Sequence, residues 1–109
     1  MNKDTFIDVL EKNDIFWNDI VTITIFNRFK KRWEFWKPNM LSFNGALDFF
    51  YSDNSICLCT EDPNDKFGCV YLYFNFDEII GIKKDKNRCK EPKYIRDLLK
   101  EITRVYIEN

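Results

Sequence analysis

Two spacings of apolar residues divide the chain into a helix, a run of strands and a second helix. Near the start, Phe6, Ile7 and Leu10 fall on one side of a helix that Asn2 or Asp4 can cap and that ends near Asn13. A second, short helical turn is expected over residues 14–19, carrying Ile15, Phe16 and Trp17. From Ile20 the period becomes two. Val21, Ile23 and Ile25 alternate with Thr22 and Thr24, and both sets suit a strand. Residues 27–37 read as the returning arm of a hairpin, with Trp33 and Phe35 inward and Arg32, Glu34 and Trp36 outward; a helical turn is the alternative. Pro38-Asn39 breaks the chain, and Asn44-Gly45 is a turn signal.

Leu47, Phe49 and Tyr51 then alternate with Asp48 and Phe50. Ser52-Asp53-Asn54-Ser55 reads as a hairpin turn into Ile56-Cys57-Leu58-Cys59-Thr60. A polar loop over residues 61–66 precedes the strongest strand signal. There, Val70, Leu72, Phe74 and Phe76 occupy one face and Cys69, Tyr71, Tyr73 and Asn75 the other. Ile79, Ile80 and Ile82 continue after a bend at Asp77-Glu78, and residues 76–82 locally resemble strand ends of several small β-barrels. A charged connector, residues 83–90, leads to Pro92, which suits the first turn of a helix. Ile95, Leu98, Leu99, Ile102 and Val105 or Tyr106 form its apolar stripe. The expected fold is α+β: an antiparallel meander of four or five strands flanked by an N-terminal and a C-terminal helix.

With 109 residues and three glycines and three prolines, the chain fits one domain, residues 1–109, without a linker. Aromatic residues make up 17% of it, and most of these rings are expected in the core, because each buries about 150–250 Å². No apolar run approaches the roughly 20 residues of a membrane span, and the N-terminus lacks a signal peptide's pattern. The expectation is a cytoplasmic chain without a membrane partner, whose Cys57, Cys59, Cys69 and Cys89 are thiols.

Candidate chemistry is sparse. Histidine is absent, which removes the usual acid–base group near neutral pH, the common nucleophile triads and imidazole metal ligands. No phosphate-cradling loop or nucleophile elbow is present. The acidic pairs Asp77-Glu78 and Glu61-Asp62 read as solvated strand ends rather than ligands for a hard cation. Cys57 and Cys59, two apart on a strand, lack the tight-turn spacing of a zinc knuckle and read as small fillers or free thiols. No catalytic residue, metal or cofactor is expected.

Charge changes the picture more than chemistry does. Net charge is −1, yet residues 28–37 and 83–96 together hold twelve basic residues against three acidic, a local +9 that leaves −10 elsewhere. Such separation steers association and selects partners. The sequence therefore points to a non-catalytic module that binds a protein, including one within a nucleoprotein complex. Its expected binding residues are Tyr71 and Tyr73, on a sheet face that either is covered by a helix or stands exposed for recognition, and the acidic group Asp48, Asp53, Glu61, Asp62 and Asp65. In biological terms this suits an inhibitor, carried by a phage or mobile element, of a host nucleic-acid-handling or defence complex, the anti-CRISPR kind being one example. One alternative is direct nucleic-acid binding through Arg28, Lys30, Lys31, Arg32, Trp33 and Trp36, where rings stack on bases and cations meet phosphates. Another is an immunity protein that neutralises a toxin.

Overall fold

A computed structural model of the chain describes residues 1–61, 69–87 and 93–108. In chain order the elements are helix α1 (Lys3–Lys12), strands β1 (Ile20–Phe26), β2 (Met40–Ser52), β3 (Ser55–Glu61) and β4 (Cys69–Asn75), a 3-10 turn (Phe76–Glu78), strand β5 (Ile79–Lys84) and helix α2 (Lys93–Glu108). This is the expected α+β fold: one antiparallel five-stranded sheet with a helix at each end of the chain. The first four strands follow one another as a meander. β5 then crosses to the far edge and pairs with β1, giving the order β4-β3-β2-β1-β5.

That order forces the sheet to curl. In a flat sheet β4 and β5 would lie about 19 Å apart, four strand spacings of about 4.8 Å. The chain passes from one to the other through Phe76–Glu78 alone, a stretch that reaches at most ~14 Å even when extended. The two edges are therefore drawn together at that turn, and α1 is strapped to the same place. Its N-terminal ammonium donates to the carbonyls of Phe76 at 3.0 Å and Ile79 at 3.2 Å.

The core fills the inside of the curl. β1 supplies Val21, Ile23 and Ile25, β2 supplies Leu41, Phe43 and Leu47, and β3 supplies Ile56 and Leu58. Leu72, Phe74, Phe76 and Ile79 complete it, with Phe6 and Leu10 of α1 and Ile95 and Leu99 of α2. Phe43 stacks at a tilt on Phe74, and Phe6 on Phe76. Each such side chain contributes about 2–3 kcal/mol of burial. Asn2 caps α1 by accepting the Thr5 N–H at 2.8 Å.

Four expectations are corrected. Residues 14–19 form turns rather than helix, with Asp14 (φ 52°) and Asn18 (φ 73°) left-handed. Asn18 and Asp19 instead bond to the backbone of Leu47. Residues 27–37 form a loop of turns and no strand. Asn44-Gly45 lies in mid-strand. A Cβ on Gly45 would sit 2.4 Å from the Cys59 carbonyl oxygen, so the glycine serves close packing of β2 on β3, not a turn. Asn44 is buried and donates to the Asp85 carboxylate at 2.9 Å, which also accepts from the Thr22 hydroxyl. Finally, more of the described rings lie exposed than buried. The expected core role of most aromatics does not hold among them.

Candidate functional site

Several of those outlying rings gather on the loop joining β1 to β2, residues 27–39. Its base is closed by Asn27, whose N–H donates to the Asn39 carbonyl (2.9 Å) and whose side-chain amide donates to the Pro38 carbonyl (2.8 Å). The Asn27 side-chain oxygen turns the chain by accepting the Phe29 N–H at 3.1 Å. Phe29 itself is half-buried against the core, beneath the Arg28 guanidinium. Arg28 bonds both carboxylate oxygens of Glu78, at 2.8 and 3.1 Å, tying the loop base to the 3-10 turn.

The far half is organised by Glu34. This carboxylate, the only acid in residues 28–37, is folded under the loop rather than presented to solvent. It takes the Lys37 ammonium at 2.5 Å and the Lys31 N–H at 2.9 Å. Those two bonds, the Lys37 one first, hold its carboxyl below the usual range. The rings of the same stretch are exposed instead. Trp33, Phe35 and Trp36 are 66%, 83% and 67% exposed, and Phe26 and Met40 at the adjoining strand ends are exposed too. Phe35 meets Trp36 edge-on at 5.5 Å, and the Lys31 ammonium lies 5.4 Å from the Trp33 ring. The inward placement expected for Trp33 and Phe35 is thus reversed, as is the outward placement of Glu34.

The six residues proposed for nucleic acid divide by role. Arg28 is committed to Glu78, and Lys30 donates to the Asn39 side chain. Lys31, Arg32, Trp33 and Trp36 are each exposed on the loop, with Lys31 beside Trp33. Lys83 and Lys84 of the second basic window pair with β1 at Thr22 and Val21, the end remote from this loop. They bond to Asp85 and Asp19.

A second surface is the outer face of β3 and β4. Tyr71 stands opposite Cys59 and Tyr73 opposite Cys57, and both tyrosines are exposed, at 51% and 40%. Asp48 of β2 lies close enough to act on this group. Burial, with the Asp48 charge behind it, pushes the Cys57 thiol up to about 11. The Tyr71 hydroxyl is also raised, first by its bond to Cys69 and then by the charges of Cys69, Cys59 and Asp48. Cys57 is buried and suited to filling rather than reaction.

The described members of the acidic set are spread along the β2–β3 hairpin, with Asp48 within β2. Asp53 sits at the β2–β3 turn, exposed, with Lys3 at 3.3 Å. Glu61 ends β3 opposite Cys69. Asp62 and Asp65 lie outside the described residues, as does Cys89. Of the acidic pairs considered for cations, Glu78 is taken up by Arg28 and the Asn75 N–H. Among the described residues no group of three or more acidic or cysteine side chains is placed to hold a metal ion. No described helix is long and apolar enough to cross a membrane.

Phe35, Phe26 and Met40 escaped the sequence reading as surface residues. A signal was there: Trp33-Glu34-Phe35-Trp36 cannot place three large rings on one face of a strand. No known protein family, curated protein or solved structure matches the chain.

Proposed function

We propose that this chain is a non-catalytic interaction module that binds a protein partner through the loop of residues 27–39. The observation that supports it is the set of exposed rings on a loop whose acid is folded under. A large apolar patch left in water is unfavourable unless something covers it, and Trp is enriched where such covering contributes most to affinity. The loop is also held by its own hydrogen bonds, so little ordering entropy opposes binding. Tyr71 and Tyr73 offer a second, smaller exposed aromatic surface. The finer form of the proposal is an inhibitor that acts by occlusion, from a phage or mobile element, directed at a nucleic-acid-handling or defence complex. Small size and two-signed charge support it.

One observation favours a second reading, single-stranded nucleic acid. Lys31 and Arg32 flank exposed rings on which bases could stack. Affinity purification from the organism that encodes the chain separates the two. Wild type is compared with a Trp33→Ala/Trp36→Ala variant, whose melting temperature should match because both rings are exposed. The expected result is one stoichiometric protein retained by wild type, with affinity at least about tenfold weaker for the variant. Recovery of nucleic acid alone, released steeply as salt rises, defeats the reading. So does a variant that retains the protein equally well.

A further inference from the structure

A second exposed apolar surface lies beyond the opposite end of β1. Residues 13–19 and helix α1 enclose a groove of about 400 Å³. Its floor is Leu10, Ile15 and Phe50, and its open side carries Phe16 and Trp17. Trp17 packs edge-on against Phe50 at 4.9 Å and still leaves 42% of its surface in water, while Phe16 is 68% exposed. The wall is fixed in place. The Asp19 carboxylate accepts the Phe16 N–H at 2.7 Å, and the left-handed turns fall at Asp14 and Asn18, residue types that tolerate them.

The rim of the groove is acidic. Glu11 and Asp14 line it, and neither carboxylate is in an ion pair among the described residues. Lys84 of β5, whose ammonium reaches the Asp14 carbonyl, is paired with the Asp19 carboxylate. The groove and the loop of residues 27–39 are therefore matched in two respects. Both expose large rings, and the loop adds Lys31 and Arg32, likewise in no ion pair among the described residues, where the groove offers carboxylates. One precedes β1 and the other follows it, a separation of about 20 Å along seven residues. A single molecule is thus not arranged to bring its own two ends together.

We propose that the protein associates head to tail with a second copy of itself, the β1–β2 loop of one copy seated in the acidic groove beside α1 of the next. The contact is heterologous, since two different surfaces meet, and an open assembly keeps a free loop at one end and a free groove at the other. Self-association and partner binding then compete for the same loop. The inference shares that loop with the function proposed above but does not depend on it.

Mixing variants tests this directly. The loop variant is Trp33→Ala/Trp36→Ala, and the groove variant is Glu11→Lys/Phe16→Ala, all at exposed positions. Unchanged circular dichroism and melting show that each is folded. In sedimentation velocity, wild type should grow in mass with concentration towards the millimolar range, and less so at high salt. Each variant alone should remain monomeric. An equimolar mixture should restore a dimer and stop there, because the loop of the groove variant meets the groove of the loop variant. Wild type that stays monomeric overturns the proposal, as does association that either variant retains or a mixture that stays monomeric. The groove variant should still capture a partner protein through its intact loop, so failure of self-association and failure of partner binding are read separately.

Discussion

Glu34 decides what the β1–β2 loop shows to solvent. Its two oxygens hold Lys37 and the Lys31 N–H, and the polarity of that short stretch is inverted relative to a simple strand. Because the folded carboxyl titrates below its ordinary value of 4.5, its contribution is fully present above about pH 4.5. It is lost as the pH falls through the lowered folded value. The Lys31 amide resonance should therefore shift on acidification with a midpoint below 4.5, and the shift should vanish in Glu34→Gln. A Lys31 amide indifferent to pH, or an identical titration in the variant, would show that the carboxylate does not organise the loop.

At the scale of elements, the close approach of β2 to β3 is set at Gly45. A methyl group there meets the Cys59 backbone carbonyl at 2.4 Å, where no side chain can swing aside. Gly45→Ala should cost about 1–3 kcal/mol or more in urea unfolding. At Gly81 of β5 nothing lies within 4 Å of the added atom, and Gly81→Ala should change stability by less than about 0.5 kcal/mol. Equal effects at the two positions would refute this account of the β2–β3 contact. The same glycine shows where sequence reading works and where it stops. Strict alternation made β1 and β4 legible, and the stripe of Ile95 and Leu99 made α2 legible, because one buried face imposes its period on the residues. Asn44-Gly45 looks like a turn, but its meaning depends on Cys59 and Asp85, fourteen and more residues away in the chain. The crossing of β5 to β1 is equally non-local. The candidate site was half legible. Its residue types stood out as rings among cations, whereas their orientation follows from hydrogen bonds by Asn27 and Glu34 that no periodicity records.

At the scale of the molecule, strand β1 separates an exposed basic aromatic loop from an exposed apolar groove of opposite charge. The basic aromatic loop follows β1, and the acidic groove precedes it. Lys83 of β5 is exposed and pairs with β1 at Thr22, the end remote from the loop, so it serves as an internal comparison. The central claim is that the loop is the surface a partner covers. Site-specific photocrosslinking inside cells of the encoding organism tests it most directly, with p-benzoylphenylalanine in place of Phe35 in one protein and of Lys83 in another. A single protein adduct from position 35, with none of that adduct from position 83, is the predicted result. The claim is contradicted if position 35 yields no protein adduct, or if both positions yield the same one.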